Sequence, residues 1–161
     1  MDERSTRDMN SKVTVIGAGR MGSSLATALF QKGFATTVWN RTGAKAEVLS
    51  RLVLSVAQSV EESVREADIV VVSVRDYSST GQLLRQPDIE AALRGKIVAQ
   101  LSSGTPKEAR EMDSWARRCG ISYLDGAMLG SPAGIGTPAC TIFYAGGSLQ
   151  SGEAGSDGLW R

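Results

Sequence analysis

Lys12-Val13-Thr14-Val15-Ile16-Gly17-Ala18-Gly19-Arg20-Met21-Gly22 decides the fold of this chain. Its first five residues are a short β-branched run of the kind that forms a buried parallel strand. The next six begin and end in glycine and hold a third between, and an amphipathic segment from about Met21 to Lys32 follows. Leu25, Ala28 and Leu29 share one face of that segment, and Gly33 stops it. A strand that breaks into glycine and resumes at once as a helix is a β–α unit with a very tight turn.

The same alternation continues outward. Thr36-Thr37-Val38-Trp39 predicts a second strand ending at Asn40-Arg41-Thr42, and Ala44 to Leu49 a short helix. Leu52 to Val56 reads as a weak strand, and Ser59-Val60-Glu61-Glu62 opens a helix with a capping box. Asp68 to Val74 is the most apolar strand and belongs at the sheet centre. A helical stretch near Ser79 to Leu84, a fifth strand from Lys96 to Leu101 and a helix opened by Thr105-Pro106-Lys107-Glu108 come next. That last helix carries Ala109, Met112, Ala116 and Cys119 on one face. Ile121 to Leu124 is a sixth strand, and Cys140 to Tyr144 offers a seventh. Strands and helices alternating at this spacing predict an α/β fold, a Rossmann-type, doubly wound and mainly parallel sheet covered on both faces. One domain is expected at 12–146, between a polar segment at 1–11 and a Gly/Ser-rich, disordered tail at 147–161.

At 161 residues the chain has room for one sizeable core. Hydrophobic residues make up 42% and charged residues 22%, a globular balance. A net charge of +1 gives no electrostatic reason to bind nucleic acid or a membrane surface. No apolar run approaches the ~18 residues that span a bilayer. The polar start, Met1 to Lys12, lacks the apolar centre of a signal peptide, and the cytoplasm is the expected location. Histidine is absent, which removes imidazole acid–base chemistry, the His-dependent triads and the commonest zinc ligand. Cys119 and Cys140 make neither a disulfide framework nor a metal site, and are expected as reduced, half-buried thiols. Any chemistry here has to come largely from a cofactor.

The glycine turn shows which kind. Gly17 permits the tight turn, Gly19 lets the backbone approach a pyrophosphate, and Gly22 brings helix and strand together. The N–H groups at the helix start, around Ala18, Arg20 and Met21, face the phosphates with the positive end of the helix dipole. An NAD site places Asp or Glu at the end of the second strand, about twenty residues on, to hold the ribose 2′-hydroxyl. Asn40-Arg41-Thr42 stands there instead. A carboxylate would repel a 2′-phosphate, whereas Asn40 and Thr42 can donate to one and Arg41 adds a fork of donors that also stacks on adenine. These residues select NADP(H). Val74 and Arg75 after the fourth strand, and Ser102, Ser103 and Gly104 after the fifth, are expected against the nicotinamide ribose and ring. For Ser102 and Asp76 a plain turn or capping role remains an equal alternative.

Gly17-Ala18-Gly19-Arg20-Met21-Gly22 together with Val38-Trp39-Asn40-Arg41-Thr42 resembles the β-hydroxyacid dehydrogenase superfamily, which includes 6-phosphogluconate dehydrogenase. Ser102-Ser103-Gly104-Thr105-Pro106 and Tyr123-Leu124-Asp125-Gly126-Ala127-Met128 sharpen the likeness to its imine reductase branch, from about Lys12 to Gly146. The resemblance implies hydride transfer from NADPH to the C=N bond of a small-molecule imine, and assigns Ser103 to the nicotinamide ribose. It also implies that Leu129 replaces the serine that binds the substrate carboxylate in the hydroxyacid dehydrogenases, which fits an apolar imine. Family members continue through a long interdomain helix, which carries the catalytic residue, into an all-helical C-terminal domain through which they form homodimers. That domain is expected to be absent from this chain. No catalytic residue is assigned, and the chain is expected to be a truncated product or an isolated cofactor domain, inactive alone. Asp76, Tyr77, Tyr123 and Asp125 are the nearby candidates for proton transfer, each with a plainer role in capping, packing or a loop. A non-catalytic NADP-binding module and a β-hydroxyacid dehydrogenase-type domain would use the same residues. A methyltransferase, also glycine-rich at its cofactor loop, is disfavoured by Arg41 in place of a ribose-binding carboxylate.

Overall fold

A β-branched run is stable in a sheet covered on both faces, and Val13, Val15, Val38, Val70 and Val98 are at 1% exposure or less. A computed structural model describes residues 11–51 and 55–146 and gathers these runs into one sheet. Its strands are β1 (Lys12–Ile16), β2 (Ala35–Trp39), β3 (Ser55–Val56), β4 (Ile69–Val72), β5 (Ile97–Gln100), β6 (Ser122–Leu129) and β7 (Thr141–Ala145), in the order β3-β2-β1-β4-β5-β6-β7. All neighbours are parallel except β7, which runs antiparallel to β6. Helices α1 (Arg20–Gln31) and α2 (Gly43–Ser50) pack on one face through Leu25, Leu29, Ala46 and Leu49. The other face is covered by α3 (Val60–Arg65), α4 (Tyr77–Leu84), α5 (Pro87–Leu93) and α6 (Pro106–Cys119), through Val64, Leu84, Leu93 and Trp115. Each large apolar side chain buried this way contributes roughly 1.5–3 kcal/mol, so both layers hold the strands firmly.

The chain winds outward from β1 to β3, returns to the centre, and winds the other way through β4, β5 and β6. The two directions part between β1 and β4, and α/β sheets bind ligands in the crevice at such a point. Trp39, Ile16, Val72, Gln100 and Asp125 are successive register partners, so the strand ends lie in one row.

Several details differ from the sequence reading, and β6 runs on to Leu129, past the expected end at Leu124. Helix α5 is an addition, too short at seven residues to show a period, although Pro87 at its start and Asp88 and Glu90 in its first turn are start signals. The capping box at Ser59 is half formed: its hydroxyl accepts from the Glu62 N–H at 3.0 Å, but Glu62 accepts from the Gln58 N–H at 2.7 Å. Trp115 joins Met112 and Ala116 in the core, its Nε1 donating to Glu90 at 2.7 Å. The box at Thr105 is complete. Part of the expected third strand (52–54), nearly all of the N-terminal segment and the Gly/Ser-rich tail (147–161) lie outside the described residues.

At the opposite, amino-terminal end of the strands, Lys96 closes a helix end. Its Nζ donates to the carbonyls of Val64 and Arg65 in the last turn of α3, at 2.7 and 2.8 Å, and to that of Ala67 just beyond it, at 2.6 Å. A cation at the negative end of the helix dipole adds to these bonds. Lys96→Met retains the stem and removes the donors. It should cost about 2 kcal/mol in a urea melt, the scale of charge-assisted bonds. Unchanged stability would mean that water replaces the ammonium without loss.

Candidate functional site

The turn after β1 is built by contact distances. Gly17 has a positive φ of 106°, and a Cβ there would come within 2.3 Å of the Ser73 carbonyl oxygen, at the end of β4. A Cβ on Gly22 would come within 1.8 Å of the Gly17 oxygen. Both glycines are therefore required by the protein itself. Gly19 is different. Its φ of −72° suits any residue, and a Cβ there would meet nothing within 4 Å. The space it leaves clear is the cavity, directly before the first turn of α1, which has no side-chain cap and no acidic residue. By contrast α3, α4 and α6 are capped by Ser59, Asp76 and Thr105. Free N–H groups at an open helix start are an anion site.

Across this turn stands the end of β2. Asn40 accepts from the Ala18 N–H through Oδ1 at 2.9 Å and donates through Nδ2 to the Thr42 carbonyl at 2.9 Å. Its side chain thus clamps the glycine turn to the next loop, and Asn40 also lines the cavity, where the second Nδ2 hydrogen is not used by either bond. The same clamp removes Ala18 from the lining, since that residue is buried with its N–H already engaged. Arg41 and Thr42 are exposed on the cavity rim, and Thr42 makes no cap bond. Lys45, unmarked by the sequence reading, joins them one helical turn after Arg41.

On the other side, the loops after β4, β5 and β6 meet. The Ser102 hydroxyl, 6% exposed, accepts from the Val74 N–H at 3.0 Å and ties β5 to β4. The Asp76 carboxylate caps α4 by accepting from the Ser79 N–H at 2.8 Å. That bond, with the Ser79 hydroxyl, holds its carboxyl below the usual range. Asp76 thus takes the capping role, while Ser102 caps no helix among the described residues and lines the cavity. Val74, Arg75 and Ser103 line the cavity. The Tyr77 hydroxyl donates to Asp125 Oδ1. A Cβ on Gly104 would come within 2.1 Å of the Tyr77 ring, so the loop after β5 is seated on that ring. Burial, reinforced by the Asp125 carboxylate, pushes the Tyr77 phenol well above its usual range and keeps it a donor. Tyr123 is buried beside Tyr77; burial likewise raises its phenol, and its hydroxyl has no aligned partner.

These parts enclose an elongated cavity of about 1320 Å³ along the strand ends. Among the described residues Arg20, Arg41, Lys45, Arg75 and Arg110 line it as cations and Asp125 is its one carboxylate. Leu129 does not line it and is 60% exposed, so its apolar side chain does not shape this cavity; Met128 and Gly130 border it instead. An open helix start, a glycine that leaves space on the cavity side and a cationic rim fit a dinucleotide phosphate chain.

Fold and site together define a Rossmann-type dinucleotide-binding domain. The chain belongs to the family described as the NAD binding domain of 6-phosphogluconate dehydrogenase, matched over residues 12–156. It is 31% identical over 142 residues, 88% of its length, to an NADPH-dependent reductive aminase from Aspergillus oryzae (strain ATCC 42149 / RIB 40). Among solved structures it resembles an imine reductase from Myxococcus stipitatus in complex with NADP+, at 50% identity and a TM-score of 0.83 over 85% of this chain and 47% of that one. It also resembles a reductive aminase from Aspergillus terreus in complex with NADPH and ethyl levulinate, at 31% identity and a TM-score of 0.78 over 84% and 47%. The chain spans about half the length of the curated relatives it matches, 48% of the Aspergillus oryzae protein.

The two kinds of glycine separate in a mutational test. Gly19→Val should keep the thermal melt of the parent and lose dinucleotide binding, because the side chain enters only the cavity. Gly22→Ala should lower stability by about 2 kcal/mol or more, the scale of overpacking against rigid backbone. Retained binding by a folded Gly19→Val variant would remove the phosphate chain from this turn.

Proposed function

We propose that this chain is the NADPH-binding half of an imine-reductase-like oxidoreductase. The observation that carries the reading is the β2 end: Arg41, Thr42 and Lys45 surround the position where a 2′-phosphate would project, with no carboxylate to repel it. The first turn of α1 would hold the pyrophosphate, Arg41 and Lys45 the 2′-phosphate, and Val74, Arg75 and Ser103 the nicotinamide ribose. When bound, the cofactor supplies a hydride, here to the C=N carbon of a small imine. The chain's own part is to bind and orient. Asn40 fixes the glycine turn, Ser102 fixes the β4 loop, and Tyr77 gathers the loops around the ring position.

Reduction also requires a second wall that holds the imine against the ring at about 3–3.5 Å, and a proton source. We assign both to sequence equivalent to the remaining half of the relatives, together with homodimer formation. The half-buried free thiols Cys119 and Cys140 support a reducing, cytoplasmic location. Among the described residues no helix is long and apolar enough to cross a membrane.

Calorimetric titration tests the cofactor reading. NADPH should bind about tenfold or more tightly than NADH, ~1.4 kcal/mol. Arg41→Ala should remove most of that margin, and equal affinities in the parent chain would sink the assignment. The chain by itself should bind NADPH without oxidising it when a cyclic imine is added. Steady imine-dependent oxidation would place the proton source within this half.

A further inference from the structure

The cavity carries five cations and a single carboxylate among the described residues. With the phosphates at α1 and the 2′-phosphate at β2, the nicotinamide half of a bound cofactor extends over the ends of β4, β5 and β6. Arg20, Arg41 and Lys45 sit at the α1 start and the β2 end, Arg75 follows β4 and Arg110 lies in the second turn of α6, while the single carboxylate, Asp125, sits on β6 in register with Gln100 at the end of β5. We propose that Asp125, held by Tyr77, is a charge-setting residue that favours the oxidised, cationic nicotinamide over the neutral reduced ring. This rests on the cofactor reading above.

Three observations support it. First, the partner of Asp125 is a phenol rather than a cation, and among the described residues neither Arg75 nor Arg110 forms an ion pair with it. A phenol orients a carboxylate and leaves its negative charge in force, whereas a salt bridge would cancel it. Second, the pair cannot swing away easily. Tyr77 is 5% exposed, opens α4 and has its ring pressed against Gly104, so its hydroxyl is fixed. Third, Asp125 is half-buried on the cavity wall, where a charge acts through a lower dielectric than water. A purely structural link between α4 and β6 would be served as well by an amide. The carboxylate has a further use: as a hydride departs, the ring becomes positive, and a fixed negative charge stabilises that change without reorganisation.

The test compares affinities of the intact chain for NADP+ and NADPH by calorimetry and by NADPH fluorescence. Asp125→Asn should weaken NADP+ about tenfold while NADPH changes less than about twofold, as expected for losing one partly screened charge pair. Tyr77→Phe keeps the charge and frees it, so the same ratio should move about threefold in the same direction. An equal loss for both ligands would mark a structural pair and overturn the proposal, and so would an unmoved ratio. Should Asp125→Asn fail to fold, Tyr77→Phe decides alone: an unmoved ratio overturns it. Failure of the parent chain to bind either form would instead sink the cofactor reading.

Discussion

The backbone contact between Gly17 and Gly22 is the constraint from which the site follows. With no Cβ on either residue, the carbonyl of Gly17 lies against the first turn of α1, and Gly17 itself presses on the end of β4. That contact aims the axis of α1 at the crevice between β1 and β4, where the sheet reverses its winding. The first turn of α1 then has nowhere to satisfy its N–H groups except the cavity, since neither a capping side chain nor an acidic residue covers it. Gly19 keeps the approach clear. A phosphate site is thus produced by packing, before any charged side chain is considered.

Side chains then give the cavity its charges, with Arg75 and Arg110 lining it as well. Arg41 and Lys45 make the β2 end cationic, while the β6 end has a carboxylate held by a phenol. Between them the bonds are structural: Asn40 to Ala18 and Thr42, Ser102 to Val74, Asp76 to Ser79. Each fixes a loop by pairing a side chain with a backbone group. These bonds hold the turn after β1 and the loops after β2, β4 and β5 in place around the cavity.

Local signals carried much of this. The β-branched runs, the glycine turn and the Thr105 box are each contained in a few neighbouring residues, and the sheet they predict is the sheet that forms. Arg41 was legible for the same reason, and Lys45 would have been had the spacing of one helical turn been applied to the loop's cationic end. The clamp made by Asn40 was not legible, because a short amide can satisfy neighbouring backbone as readily as it can reach a ligand. Tyr77 and Asp125 lie 48 residues apart, and only the register that levels Gln100 with Asp125 brings them together. Leu129 was placed by family position, and that does not say which way a strand residue points.

The central claim is that a dinucleotide lies along these strand ends, with its phosphates on α1 and its 2′-phosphate at β2. Titration of the isotopically labelled chain with NADPH, followed residue by residue through backbone amide resonances, tests it most directly. The amides of Gly19, Arg20, Met21 and Gly22 should shift in step with those of Arg41, Thr42 and Lys45, along one saturable curve. With NADH the first group should still move and the second should move far less. Saturable binding that leaves the α1 amides unshifted would contradict the account.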